Sequence, residues 1–153
     1  MSLSIPVAEL LPHTGDMILL DEVLSCQGDD LVARATVRPG PFSQQDGSLP
    51  PWLGLEFMAQ AVAAWAGWQA RQAGEPVKLG FLLGTRHYEC HVDALPPGAA
   101  LTIRITRTLQ DDLGMGVFHA QLLEDSRVIA QARLNVYQPA DTARYTQENN
   151  PSS

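Results

Sequence analysis

Residues 50–74 read PPWLGLEFMAQAVAAWAGWQARQAG, and the architecture turns on them. Pro51 suits the first turn of a helix, where its missing N–H would have had no partner. Gly74 and Pro76 mark the stop. Between them apolar residues occupy nearly every helical face, which means burial on most sides rather than a surface helix. Ala59, Ala63, Ala66 and Ala70 recur at helical spacing, so that a sheet can approach closely. The expected helix runs from about residue 51 to 73.

Strand patterns lie on both sides of it. Upstream, a strand is expected to start within Glu22 to Cys26, with a turn at Asp29-Asp30. Leu31, Ala33, Ala35 and Val37 then alternate with Val32, Arg34, Thr36 and Arg38, the period of a half-buried strand. Residues 39–51 are loop, rich in glycine and proline. Downstream, Lys78 to Cys90 is a strand candidate bent at Gly84, and Pro96-Pro97-Gly98 is a turn. Leu101, Ile103 and Ile105 alternate next, residues 111–114 turn the chain, and Met115 to Leu123 run back. In the last strand Val128, Ala130, Ala132, Leu134 and Val136 face one way, against Ile129, Gln131, Arg133, Asn135 and Tyr137. Two strands, one long buried helix and about four antiparallel strands make an α+β arrangement of two packed layers. The pattern by itself leaves several α+β folds open.

The bulk composition bounds the function. The chain has 153 residues, one domain's worth, with 45% hydrophobic and 18% charged residues. A net charge of −7 and only ten scattered Lys and Arg exclude a nucleic-acid footprint. Cys26 and Cys90 form no CxxC or Cys/His cluster, so neither a disulfide framework nor a metal site is expected, and both are read as buried thiols. The N-terminal MSLSIPVAELLPH lacks the basic region and cleavage site of a secretory signal. The most apolar stretch, Trp52 to Trp68, is shorter than the ~20 residues of a membrane span and carries Glu56 and Gln60. A cytoplasmic protein is expected, with one domain over residues 1–138 and a polar, disordered tail over 139–153.

Two segments carry a family resemblance. Residues 11–23, LPHTGDMILLDEV, resemble the LPHRxPxLLLDRV opening of the hotdog-fold 3-hydroxyacyl-(acyl-carrier-protein) dehydratases. Residues 49–60, LPPWLGLEFMAQ, resemble their MPGVLxxEAMAQ helix. With the later strand and the Pro-Pro-Gly turn, the resemblance covers roughly residues 9 to 138. Within the superfamily the chain looks most like the dehydratase-like proteins of aryl-polyene gene clusters. The resemblance implies a hotdog, about six antiparallel strands wrapped around one long central helix. It also implies edge-to-edge pairing into a homodimer or a mixed dimer, and an acyl chain held on acyl carrier protein through phosphopantetheine. No cofactor is expected. One departure matters: those dehydratases carry a GHFPxxPxxPG loop whose histidine is the catalytic base. Here the loop reads GPFSQQDGSLP over residues 40–50, with no histidine.

Dehydrating a 3-hydroxyacyl thioester needs a base for the α-proton, an acid for the leaving hydroxyl and donors for the developing enolate oxygen. Glu56 carries over from the family motif as the acid, its carboxyl partly desolvated by Leu53, Leu55 and Phe57. The structural alternative is a helix-start carboxylate favoured by the dipole. Trp52, Leu53 and Gly54 are expected to bind substrate through helix N-terminal N–H groups that point outward. Gln60, one turn beyond Glu56, bonds either Glu56 or substrate, or caps a polar pocket. His13 and Asp46 are the candidates to replace the base, against a structural role near the site for His13 and a turn role for Asp46. His87, His91 and His119 read as structural or surface residues. Arg86 and Lys78 can meet an acidic carrier, or simply be solvated. Three functions follow as expectations: a dehydratase, a hotdog thioesterase whose helix carboxylate activates water, or a degenerate subunit that partners an intact dehydratase.

Overall fold

The computed structural model describes residues 6–11, 18–75 and 81–137. His13, Lys78 and the polar tail over 139–153 lie outside the described residues. After a short 3-10 turn at Val7–Glu9 come β1 (Glu22–Gln27) and β2 (Asp30–Thr36), then α1 (Leu53–Gln72). Four strands follow: β3 (Phe81–Cys90), β4 (Ala100–Gln110), β5 (Met115–Glu124) and β6 (Arg127–Tyr137). They form one six-stranded sheet in the order β1-β2-β4-β5-β6-β3, and every neighbouring pair is antiparallel. The expected α+β hotdog layout is therefore present: a single sheet against one long helix. β3 crosses to the far edge of the sheet and, among the described residues, has a strand neighbour on one side alone.

The helix starts two residues later than Pro51, because Pro50 and Pro51 first wind the chain into a tight turn. At its other end Gly74 takes φ 70°, and the amides of Gly74 and Glu75 return to the carbonyls of Arg71 and Ala70. That is the left-handed stop for which glycine has no steric cost. The stripe against the sheet is Gly54, Met58, Ala61 and Trp65, all buried. Gly54 lies over Leu122, and Trp65 meets Phe118 edge-on at 5.3 Å. The alanine run of the sequence reading sits beside this stripe: Ala59, Ala63 and Ala66 are only half-buried. Facing the helix, Leu31, Ala33, Ala35, Leu101, Ile103, Ile105, Ala120, Leu122, Ala132 and Leu134 supply the sheet's share of the core.

The alternation expected for β6 breaks at one point. Leu122 pairs with Ala130 but Leu123 pairs with Val128, so Ile129 is the extra residue of a bulge. It turns inward and is fully buried, where strict alternation had it facing out. β3 is irregular at the expected Gly84 and again between Arg86 and Glu89, where His87 takes φ 60°. Cys26 is buried, and burial pushes its thiol up to about 11, which makes it inert at neutral pH. Cys90, expected to be buried, is only half-buried.

On the opposite side of the helix the segment before β1 passes close over Gly67. A Cβ there would run into the carbonyl oxygen of Leu10, a fully buried residue that has no room to retreat. Alanine's advantage over glycine in a helix is about 1 kcal/mol, whereas overpacking costs about 1–3 kcal/mol and occasionally more. Gly67→Ala is therefore expected to destabilise the fold, read as a lower urea midpoint with an unchanged slope.

Candidate active site

Glu56 stands in the first turn of α1, half-buried, between Leu53 and Phe57, which are both buried. One turn on, Gln60 is completely buried, a rare place for an amide unless its hydrogen bonds are made. They are made in a definite sense. The backbone N–H of Leu19 donates to Gln60 Oε1 at 2.8 Å, and Gln60 Nε2 donates to Glu56 Oε1 at 3.2 Å. One of the sequence alternatives for Gln60, a bond to Glu56, is present. The Leu19 amide is a partner that the sequence reading missed, because 41 residues separate it from Gln60.

Beside this relay opens a cleft of about 320 Å³, lined by Ile18, Leu19, Phe42, Leu49, Leu53 and Phe57, with Arg38 among its polar neighbours. Its wall is mixed, with Thr36, Arg38 and Gly40 beside the aliphatic and aromatic side chains. Leu19 contributes both to its wall and to the relay. Trp52 is exposed and does not line the cleft; its ring meets Phe42 edge-on at 5.6 Å.

The helix N-terminus differs from expectation. The amides of Leu53 and Gly54 do not point outward but close onto the carbonyls of Pro50 and Pro51, at 3.1 and 3.0 Å. The two prolines cause this by pre-winding the turn, so that amides three residues on find acceptors at once. Of the three amides proposed as donors, only Trp52's has no such bond among the described residues. Above Gly54 lies a residue that the sequence reading passed over. The Tyr88 hydroxyl donates to the Pro51 carbonyl at 2.5 Å and occupies the space that a side chain at position 54 would need. Burial first, then the neighbouring Cys90, pushes the Tyr88 phenol well above its usual range, so it stays a donor. The signal available in the sequence was Gly54 itself, a glycine inside a helix, which costs stability unless something packs against it.

The loop between β2 and α1 is tied to itself. Asp46 is exposed, and its carboxylate accepts from the buried Ser48, from the hydroxyl at 2.6 Å and from the amide at 3.0 Å. The Gln44 amide donates to the Ser48 carbonyl at 2.8 Å, and Leu49 bridges to Leu95. The Ser48 hydroxyl bond, then the Ser48 amide bond, hold the Asp46 carboxyl below the usual carboxylate range. Its contribution to the loop is thus present above the unfolded value near pH ~3.9 and fades as pH falls through the lowered folded value. A carboxylate so satisfied is a poor proton acceptor, and Asp46 reads as a turn residue. Among the described residues no group of His, Cys, Asp and Glu is arranged to hold a metal ion. No helix of the described residues is long and apolar enough to cross a membrane.

The family model of the ApeP-like proteins, described as ApeP dehydratase, matches residues 5–147. The dehydratase heterocomplex ApeI:P from Xenorhabdus doucetiae contains a chain 36% identical to this one, covering 97% of this chain and 100% of that chain at a TM-score of 0.85. Two more distant structures share the fold alone. The Escherichia coli PaaI protein of the phenylacetic acid degradation operon is 14% identical over 75% of this chain and 80% of that one, with a TM-score of 0.60. A hypothetical thioesterase with coenzyme A from Streptococcus pneumoniae is 13% identical over 76% and 84%, with a TM-score of 0.61. A search of curated protein sequences gives no match.

Proposed function

Because the chain belongs to the ApeP-like dehydratase family, we propose that it helps remove water from 3-hydroxyacyl chains carried on acyl carrier protein, as one subunit of a mixed dehydratase. The observation that carries this reading is the Glu56–Gln60–Leu19 relay beside a cleft of mixed polar and apolar lining, next to a loop that holds no histidine. The acid is built and oriented; the base is missing from the loop where the resembled dehydratases keep it.

The reaction then divides between two chains. The thioester, delivered on its phosphopantetheine arm, lays its acyl chain along the cleft. A histidine of the second subunit takes the α-proton, and the electron pair moves into the enolate, whose oxygen needs donors such as the Trp52 amide. Glu56 gives its proton to the 3-hydroxyl; the C–O bond breaks, water leaves and the pair forms the carbon–carbon double bond. Among the described residues the outer side of β3 has no strand neighbour, which supports the pairing, since such an edge is a template for another strand. Dimerisation through that edge brings two sites to one interface. The chain of the ApeI:P heterocomplex, similar to this one along its whole length, supports a mixed partner over a homodimer.

The missing loop histidine also favours a second reading, a thioesterase in which Glu56 activates water. One assay separates these. The protein, alone and with a histidine-bearing hotdog subunit, is incubated with 3-hydroxydecanoyl and decanoyl thioesters of N-acetylcysteamine. Enoyl product supports the dehydratase, free thiol supports the thioesterase, and neither product from any mixture leaves a non-catalytic partner. In the same assay Asp46→Asn is expected to leave turnover unchanged, because that carboxylate serves its loop; a large loss would restore it as the base.

A further inference from the structure

Two costly features of the chain converge on one phenol. In β3, Arg86 pairs with Arg133 and Glu89 with Gln131, so His87 and Tyr88 together stand opposite Ala132 alone. Strict alternation would return position 88 to the outer face on which Arg133 is exposed. The extra residue, His87, takes the strained φ of 60° and turns Tyr88 inward to the helix. There Gly54 makes room for it, since a Cβ at position 54 would stand 2.4 Å from the Tyr88 oxygen. The Pro51 carbonyl then accepts twice, from the Gly54 amide at 3.0 Å and from the Tyr88 hydroxyl at 2.5 Å, which uses both of its lone pairs. We infer that Tyr88 is a positioning residue for the enolate donor: by holding the Pro51 carbonyl it aims and polarises the Trp52 N–H at the other end of the same peptide unit. The inference rests on the donor role proposed for the Trp52 amide.

The coupling is a matter of covalent geometry. A trans peptide is planar, with its C=O and N–H pointing in opposite directions, so a carbonyl fixed at one end fixes the amide at the other. Donation to the carbonyl also strengthens the N–H as a donor, because bonds in a chain polarise one another. Trp52 has helical φ and ψ of −65° and −21°, and its amide has no backbone acceptor among the described residues. Packing alone gives no reason for this arrangement. A phenylalanine at position 88 would fill the same space without the hydroxyl, and alanine could then replace the helix glycine at position 54. Burial keeps the phenol protonated, so the bond persists through the neutral range.

The test uses the mixed complex with 3-hydroxydecanoyl-N-acetylcysteamine. Tyr88→Phe keeps the ring and removes the hydroxyl. It is expected to lower kcat by a factor of about 10 to 10², less than outright loss of an enolate donor, with KM little changed. Gly54→Ala, whose Cβ expels the phenol oxygen, is expected to lower both stability and kcat. In the double variant the new methyl group takes the space of the missing hydroxyl. The urea midpoint then recovers relative to Gly54→Ala, while kcat stays at the Tyr88→Phe level. A second readout needs no turnover. Trp52 is the only tryptophan preceded by proline, so carbonyl-labelled proline with nitrogen-labelled tryptophan marks this one peptide unit for NMR. In Tyr88→Phe its carbonyl carbon is expected to move upfield, as a carbonyl does on losing a donor. Full turnover of Tyr88→Phe, an effect on KM alone, turnover that recovers with stability in the double variant, or an unmoved carbonyl resonance overturns the positioning role. Absence of enoyl product from the wild-type complex overturns the dehydratase reading and the positioning role with it, even where the carbonyl resonance moves, so the two failures are told apart.

Discussion

Glu56→Gln is expected to slow enoyl formation by a factor of about 10² to 10⁴, the usual worth of a general acid. The substitution keeps the side chain's length and its hydrogen-bonding capacity toward Gln60, so the fold and the dimer should survive. What it removes is a transferable proton. The half-buried setting between Leu53 and Phe57 limits replacement by bulk water, so the loss should fall on kcat rather than KM. Turnover assayed in the mixed complex, with unfolding and sedimentation as controls, gives the answer. An unchanged rate would show that the proton comes from elsewhere and that the family's acid does not sit at this position.

The second large effect is expected on mixing. Alone, the protein should be a poor dehydratase, and addition of a hotdog subunit with an intact loop histidine should raise enoyl formation by about 10²-fold or more, the contribution of a well-placed base. The reason is the chemistry available in the loop over residues 40–50. Asp46 is tied to Ser48 and held below the usual carboxylate range, and the glutamines beside it cannot take a proton. Imidazole titrates near neutral pH and suits the task. Co-expression, pull-down and assay of each protein and of the mixture test this. Full turnover by this chain alone would refute the mixed site and return attention to His13, through His13→Ala.

The architecture was legible because its determinants are local. Helical spacing over residues 53–72 and alternation in β2 and β4 follow from which side chains face a core, and both periods are set by the backbone. Glu56 and Gln60 were readable as a pair for the same reason, since residues four apart share a helix face. Local pattern also misled where a local rule met a distant contact. Ile129 was assigned outward because the register of β5 against β6, and hence the bulge, is settled only when the strands pair. The Leu53 and Gly54 amides were assigned outward because a helix start has unsatisfied donors in general, whereas here the Pro50-Pro51 turn supplies acceptors.

By itself the sequence determined an α+β chain with one buried helix, a carboxylate and an amide on one face of it, and a loop without histidine. Only the tertiary structure decided what those groups do to one another. The sense of the Gln60 amide depends on the Leu19 N–H, brought in across 41 residues of chain. Tyr88 over Gly54, and Leu10 over Gly67, likewise join segments that no periodicity relates. β3 stands at the sheet edge beside β6, with β4, β5 and β6 between it and β2. Side-chain spacing records burial, a property of one segment; hydrogen-bond direction and strand order are properties of pairs, and they exist only once the chain has closed on itself.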